Sequence, residues 1–163
     1  MTGPVHIESA ERGDALAVTI VDIEPDVYGY TVCVPGFGFL RDVFPEPFIA
    51  NWHLDRLKAV SAEIPGVTIP MMAFPGSIGV LPGEPEMRDA LEREGELAKA
   101  GGFVLMPEPA GAVPAKLFGP GAPYAAEALR TIPPRECGGN MDIKEMQIGT
   151  TILFPVQVDG AGL

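Results

Sequence analysis

The sequence predicts a mainly β protein, with a β-sandwich or partly open, barrel-like arrangement of sheets and one or two short helices. The 20 glycines and 18 prolines among 163 residues are about twice the share expected from average usage, which is ~12%. This composition is typical of short strands joined by turns and disfavours a helical bundle. Because 47% of the residues are hydrophobic, the chain can bury a core, and we expect one domain over residues 1–163.

Strands are predicted where apolar residues alternate between Pro or Gly boundaries. Leu16, Val18 and Ile20 alternate with residues that are also largely apolar, which predicts a central strand covered on both faces. We also expect a strand around His6. The strand with Leu16 is predicted to span Leu16–Val21. The other predicted strands of the first half are Tyr28–Val34, Phe48–Asp55, Val67–Pro70 and Ser77–Leu81.

One helix is predicted in the middle of the chain. Pro85 suits the first helical position, and the glutamates on either side of it complement the positive end of the helix dipole. An apolar stripe with helical spacing continues as far as Leu97 and Ala98. Lys99 followed by Gly101 is typical of a helix end.

The remaining segments are mostly turns. The run Pro35–Leu40 predicts a loop whose two phenylalanines act as anchors. The Pro- and Gly-rich stretch after the helix contains only a weak helical pattern, at Tyr124–Leu129. A last strand is expected at Thr150–Val158, where Pro155 lacks an N–H and therefore indicates a sheet edge or a bulge.

Charge and targeting signals narrow the function classes. Eleven Lys and Arg residues against 22 Asp and Glu residues give a net charge of −11, so nucleic acid and anionic membrane surfaces are poor partners. Cys33 and Cys137 are too far apart to suggest a disulfide framework or a metal motif. The first ten residues lack the apolar stretch of a signal peptide, and no apolar run reaches the ~18 residues of a membrane span. We expect a cytoplasmic protein.

The densest polar cluster of the sequence is ECGGNMD, at residues 136–142. Gly138 and Gly139 allow a ligand to approach the backbone amides closely. If the segment is extended, Asn140 and Asp142 project to the same side, where they suit a metal-bound water or the polar end of a small amide. The alternative is a Gly-Gly-Asn turn with Asp142 capping a short helix.

Other chemically capable residues have ordinary structural explanations. His6 and His53 are the only histidines, and their separation does not fit a metal-ligand motif. Ser77 is expected to be a turn serine. Cys137 is disfavoured as a nucleophile because Arg135 is the only nearby group in the sequence that could activate its thiol.

Four blocks of the sequence together form a family pattern. The first block reads TGPVHIESAERGDALAV, close to T-G-P-x-x-x-x-G-A-x-x-G-D-x-L-x-V but with Ser9-Ala10 in place of Gly-Ala. The last contains R-x-x-G-G-N-x-D followed by a Gly-bounded strand ending in Pro-Val, which is not a common pattern. The blocks are Thr2–Pro25, Gly36–Leu40, Ile69–Pro82 and Pro133–Leu163. In this order, they resemble the acetamidase/formamidase family.

The resemblance implies hydrolysis of a short linear amide, such as formamide or acetamide, to ammonia and the carboxylic acid. It also implies a β-rich, metal-dependent enzyme that forms a homo-oligomer and binds a small amide substrate. Matched residue by residue to the family's G-G-N-x-D motif, Asp142 and Asn140 are the predicted catalytic residues and Gly138 and Gly139 the predicted substrate-binding residues. Asp142 is also the predicted ligand of a divalent metal, zinc or calcium. Gly76 and Gly79 match a glycine-containing family loop whose role is open.

The sequence also departs from the family pattern. Family members continue into a D-x-H-A-A-Q-G-D-G-E segment, which is expected to supply a histidine and several carboxylates, whereas this sequence ends at Leu163. The family's segment upstream of T-G-P is absent as well. Catalytic zinc usually takes three protein ligands, so we expect most metal ligands to lie outside a partial 1–163 domain. We therefore expect the chain alone to be inactive or weakly active.

Two other functions stay open on the sequence alone. The chain could be a non-catalytic β-rich module that keeps the family fold and binds a small polar ligand or a partner chain. It could also be a truncated product whose exposed strand edges aggregate.

Overall fold

The computed structural model describes residues 3–101, 114–118, 121–124, 129 and 131–163. Within these residues the chain forms antiparallel sheets and two helices, which confirms the predicted mainly β fold class. None of the described helices combines the length and apolarity needed to cross a bilayer. The elements are β1 (Ala15–Thr19), β2 (Tyr28–Cys33), β3 (Phe48–Leu54), β4 (Lys58–Val60), β5 (Thr68–Pro70), β6 (Ser77–Gly79), α1 (Glu84–Lys99), α2 (Ala115–Phe118), β7 (Gly138–Asn140) and β8 (Thr151–Pro155).

The chain divides into two compact units. Unit 1 consists of Met1–Ile20 together with Pro75–Leu163, and unit 2 is the continuous segment Val21–Phe74. Unit 1 therefore brings the first block of the sequence together with the last, whereas unit 2 is formed by neighbouring strands only.

The core of unit 1 draws residues from two strand pairs, β1–β8 and β6–β7. Phe154 on β8 is 3% exposed, and Leu16, Val18 and Ile152 pack against the same cluster. The predicted alternation on the last strand is therefore confirmed for its central residues. The buried members of the cluster are Val80, Cys137, Phe154, Val156 and Ala161.

Two predictions for the N-terminal part are wrong. The strand containing Leu16 is not covered on both faces: its alternate residues Ala15, Ala17 and Thr19 are exposed, and β8 is its one partner among the described residues. The segment around His6 is irregular rather than a strand, although the Val5 and Leu163 backbones exchange two hydrogen bonds. Proline lacks an N–H for a ladder, and Pro4 precedes this short contact.

Helix α1 confirms the prediction within one residue at its start. It begins at Glu84, so that Pro85 occupies the second position, and it ends at Lys99. Its first turn is tied to the rest of unit 1, because the Gly83 N–H donates to Gln157 Oε1 at 3.2 Å and Arg12 pairs with Glu86. On the inner face, Ala90 is 2% exposed. The predicted pattern at residues 124–129 lies mostly outside the described residues.

Unit 2 contains a four-stranded antiparallel sheet in the order β2-β3-β4-β5. Three of its strands match predicted ones. Strand β4 was not predicted, because its three residues, Lys58–Val60, are too few to show a period of two. Pairing with β3 and β5 stabilises it.

The long connection between β2 and β3 exposes an apolar surface. Phe37 and Phe39 are 63% and 106% exposed, so the expectation that they anchor the loop is wrong. The connection and the adjacent strand ends line an apolar cavity of about 1080 Å³. No residue of the ECGGNMD segment is among those lining it.

A polar network lies on the sheet of unit 2 and depends on Glu63. Asn51 donates its side-chain N–H to Glu63 Oε1 at 2.9 Å, and the Ser61 hydroxyl donates to Oε2 at 2.7 Å. Tyr28 donates in turn to Asn51 Oδ1. The hydrogen bonds from Asn51 and then Ser61 lower the pKa of Glu63 from its ordinary value of 4.5 to about 2.

We predict that Glu63→Gln destabilises unit 2 at pH 7 but not at pH 2. The pKa is lowered in the folded state, so the carboxylate's contribution is complete above pH 4.5 and disappears as the pH falls towards about 2. Urea unfolding followed by the fluorescence of Trp52, the only tryptophan, measures the difference. Glu46→Gln is the control, since Glu46 accepts no hydrogen bond from the described residues. A Glu63→Gln effect that is equal at both pH values would contradict the prediction.

Candidate functional site

The pairing of β6 with β7 brings two distant parts of the sequence into one polar cluster. Alternate residues of a strand point to opposite faces, so two residues directly opposite each other across a pair project from the same face. Ser77 and Asn140 are such a pair, and their side chains meet. The register places Ser77 opposite Asn140, Ile78 opposite Gly139, and Gly79 opposite Gly138.

Glycines make this close approach of the two backbones possible. A Cβ at Gly79 would lie 2.4 Å from the Cys137 carbonyl oxygen, and a Cβ at Gly138 would lie 2.4 Å from the Ile78 carbonyl oxygen. Neither distance is compatible with a side chain, because the opposing atoms are backbone. Gly138 also has a φ of +93°, which residues with a Cβ rarely adopt.

The same glycines were predicted to bind substrate through their amides. Gly138 donates its N–H to the Arg135 carbonyl oxygen at 2.9 Å, so that amide is engaged within the chain. A Cβ at Gly139 would lie 2.8 Å from the Thr131 carbonyl oxygen. Both glycines therefore serve the packing of β7 against its neighbours, and their substrate-binding role stays a prediction.

A chain of side-chain hydrogen bonds runs from Ser77 through Asn140 to Asp142. The Ser77 hydroxyl lies 3.2 Å from Asn140 Oδ1, to which it donates. Asn140 Nδ2 donates to Asp142 Oδ2 at 2.9 Å. The donors all point towards the carboxylate, so each bond strengthens the next. Asn140 is half-buried, whereas Ser77 and Asp142 are exposed.

The backbone at Asp142 is held in an uncommon conformation. Its φ is +47°, in the left-handed region that Asp and Asn tolerate better than most residues. The Gly76 carbonyl oxygen accepts hydrogen bonds from both Met141 N and Asp142 N, at 2.7 and 3.1 Å. A Cβ at Gly76 would lie 3.2 Å from Asp142 Oδ1, so a glycine there leaves room for the carboxylate.

The structure decides between the two local conformations considered for the ECGGNMD segment. Residues Gly138–Asn140 are extended and belong to a sheet, so the turn alternative is wrong. No helix begins at Asp142, and the described residues 141–150 are turns and irregular backbone. Asn140 and Asp142 do come together, but through the left-handed backbone at Asp142 rather than through a continued strand.

Ser77 is the residue that the sequence analysis missed. A strand beginning at Ser77 was predicted and is confirmed, but the side chain was expected to be an ordinary turn serine, whereas it lies within hydrogen-bond distance of Asn140. The sequence carried one signal, the glycines at 76 and 79, which mark a close backbone approach. Its partner strand is about sixty residues away, so local patterns do not reveal the contact.

The other candidate residues lie away from this chemistry. Cys137 is 7% exposed, and burial raises the pKa of its thiol, which disfavours a thiolate nucleophile. His6 is in unit 1 and packs beside Gly160, whereas His53 is an exposed residue of β3 in unit 2.

The donor set does not fit a metal ion by itself. Among the described residues, no group of three or more His, Cys, Asp or Glu side chains could hold one. Asp142 offers one carboxylate, and Asn140 already donates to it. A catalytic zinc usually needs three protein ligands, so these residues supply at most part of a metal centre.

The sequence of this chain is similar to proteins of one family. A family model described as the Acetamidase/Formamidase family matches residues 1–163. The chain is 34% identical over 175 residues to a formamidase from Methylophilus methylotrophus and 34% identical over 182 residues to an acetamidase from Mycolicibacterium smegmatis. The alignments cover 100% of this chain but 43% and 45% of those proteins. The chain thus spans less than half the length of the curated relatives it matches.

Solved structures similar to this chain are also more than twice its length. A gamma lactamase from Delftia acidovorans aligns with a TM-score of 0.83 and 36% identity, over 98% of this chain and 42% of that chain. An acetamidase from Bacillus halodurans aligns with a TM-score of 0.64 and 25% identity, over 97% and 39%.

We predict that Gly138→Ala destabilises the protein much more than Gly149→Ala. The two glycines have nearly equal φ values, +93° and +91°, but a Cβ at Gly149 would meet nothing within 4 Å. Both substitutions carry the left-handed conformational cost of about 1–2 kcal/mol, and Gly138→Ala adds a clash with backbone that typically costs a further ~1–3 kcal/mol. Urea unfolding monitored by far-UV circular dichroism measures both. Equal losses in the free energy of unfolding would show that the contact between β6 and β7 has room for a side chain at Gly138, which would contradict the prediction.

Proposed function

Because this chain belongs to the acetamidase/formamidase family, we propose that it carries part of a site that hydrolyses short linear amides, of the formamide or acetamide type, to ammonia and the carboxylate. The observation that carries this proposal is the hydrogen-bonded chain Ser77–Asn140–Asp142, which ends in an exposed carboxylate. The relatives described above are a formamidase and an acetamidase, which supports this substrate class.

The polar side-chain atoms of Asn140 and Asp142 can pair with the polar atoms of a primary amide. An ionised carboxylate has about four acceptor positions, and Asn140 Nδ2 occupies one at Asp142. The others can accept the N–H groups of the substrate. Asn140 Nδ2 carries a second hydrogen, which has no acceptor among the described residues and can donate to the substrate carbonyl oxygen. Asp142 would thus act at the reacting amide and Asn140 would orient it.

Amide hydrolysis also needs a positioned base and a group that stabilises the oxyanion. One carboxylate and one carboxamide do not supply all of these. We propose that the remaining catalytic groups lie in family polypeptide outside these 163 residues, since the relatives are more than twice as long as the stretch matched here. A divalent metal, zinc or calcium, belongs to the proposal as an ion whose other ligands come from that polypeptide and to which Asp142 contributes one ligand.

The proposal also covers the location and the oligomeric state of the protein. Cys33 and Cys137 are free thiols, which supports a cytoplasmic location. A homo-oligomer is expected from the family resemblance.

A second candidate function is a non-catalytic module that binds a small polar ligand. The observations in its favour are the exposure of Asp142 to solvent and the lack of a metal-holding cluster among the described residues. Ammonia release separates the two candidates.

We predict that Asp142 is essential in a complete enzyme. In a chimera, these 163 residues replace the matching stretch of the Methylophilus methylotrophus formamidase, and ammonia release from formamide is measured. Asp142→Asn should lower kcat/KM by about 10²-fold or more, whereas Asn140→Ala should act mainly on KM. Lys144→Ala is the control, because Lys144 is an exposed neighbour whose side chain forms no hydrogen bond or ion pair with the part of the chain that the structure describes. An active chimera that tolerates Asp142→Asn would refute the role of Asp142.

For the isolated chain, we predict ammonia release at no more than about one hundredth of the chimera's rate, with or without added Zn²⁺ or Ca²⁺. The physical reason is the incomplete donor set at Asp142. A rate equal to that of the chimera after metal addition would contradict the proposal that other polypeptide completes the site.

A further inference from the structure

Two Arg–Glu pairs connect helix α1 to the residues just before β7. Arg93 binds Glu136 through both of its terminal nitrogens, with Nη1–Oε1 at 2.9 Å and Nη2–Oε2 at 3.2 Å. The next residue of the helix, Glu94, accepts a hydrogen bond from Arg135 Nη2. We refer to these four residues as the Arg–Glu clasp.

The two pairs of the clasp differ in burial. The side chains of Arg135 and Glu94 are only 12% and 14% exposed, whereas those of Arg93 and Glu136 are 59% and 61% exposed. A buried ion needs its partner, because an uncompensated charge in the interior is strongly unfavourable. Arg135 Nε is buried without an acceptor among the described residues. The ion pair with Glu94 therefore provides much of the stabilisation of the buried Arg135 charge.

The order of charges in the clasp specifies a register. Both segments read Arg-Glu, and they cross antiparallel, so that each arginine meets a glutamate. A shift of one residue in either segment would place like charges opposite each other, which is unfavourable. The hydrogen bonds from Arg93 are also the first cause that lowers the pKa of Glu136, to about 2.

A short path of backbone contacts leads from the clasp to the candidate site. The Arg135 and Gly138 backbones exchange two hydrogen bonds, each 2.9 Å long. Gly138 is the first residue of β7, and Asn140, two residues later, is held by the Thr131 carbonyl oxygen at 2.7 Å and lies opposite Ser77. Arg135 therefore connects α1 directly to the first residue of β7.

We propose that Arg135 is a positioning residue that keeps β7 where Asn140 can bind both Ser77 and Asp142. Glu94 holds the Arg135 side chain, and the Arg93–Glu136 pair fixes which residues of α1 and of the segment before β7 lie opposite each other. The assignment of Asn140 and Asp142 to a functional site rests on the proposed function. The positioning itself is a property of the chain without substrate and can be measured separately.

The experiment uses amide hydrogen exchange and the NMR signals of the Asn140 side-chain NH₂ in the full chain. The variants are Arg93→Glu, Glu136→Arg and the double variant that exchanges the two charges. Each single variant should accelerate exchange of the Asn140 and Met141 amides by about fivefold, the factor that corresponds to an ion pair of about 1 kcal/mol. The double variant should restore most of the protection and the wild-type NH₂ signals.

Two controls separate positioning from general stability. Arg88→Glu breaks the exposed Glu84–Arg88 pair on the same helix and should leave the Asn140 signals unchanged. Amides of β8 report on global opening of unit 1, and they should not accelerate in the single variants. Equal acceleration in β7 and β8, or unchanged exchange at Asn140, would overturn the proposal.

A direct variant tests the inner pair. Arg135→Lys keeps the charge but loses the planar fork, and should displace the Asn140 NH₂ signals while Arg135→Met displaces them further. If Arg135→Met does not fold, the charge exchange on the outer pair still decides the question. Because no substrate is present, these results stand independently of the ammonia assays.

Discussion

The close approach of β6 and β7 is the constraint on which the candidate site depends. At Gly79 and Gly138 the opposing backbones leave no room for a Cβ, since either one would come within 2.4 Å of a carbonyl oxygen. This contact sets Ser77 opposite Asn140. It also brings Val80 and Cys137, which flank the two strands, into the buried cluster around Phe154. Packing of the core and placement of the polar side chains therefore follow from the same steric fit.

The site combines order with exposure. Asn140 is held by hydrogen bonds from its backbone and from both ends of its carboxamide, and the Gly76 carbonyl oxygen holds the backbone at Asp142. The carboxylate itself remains exposed. Groups that are positioned in advance lose little entropy when a ligand binds. This arrangement suits the proposed function, in which the surface forms one side of a site and meets complementary groups from outside these residues.

Local pattern was a good guide to the longer elements. The helix and the strands with clear alternation follow from side-chain period and helix dipole, which act within a few residues. The same reasoning failed for β4, which is too short to show a period. It failed as well for the two faces of β1 and for the phenylalanines of the β2–β3 connection, because burial depends on what packs there and not on the residue alone.

The sequence by itself determined the fold class, the family resemblance and the presence of the G-G-N-x-D residues, because composition, period and motif are properties of short stretches. Tertiary structure alone decided that Ser77 joins Asn140, that Asp142 turns back through a left-handed backbone, and that Arg135 is nearly buried against α1. Each of these depends on contact between segments that are about forty to sixty residues apart. Such contacts arise from steric fit and charge pairing between surfaces, which no local pattern encodes.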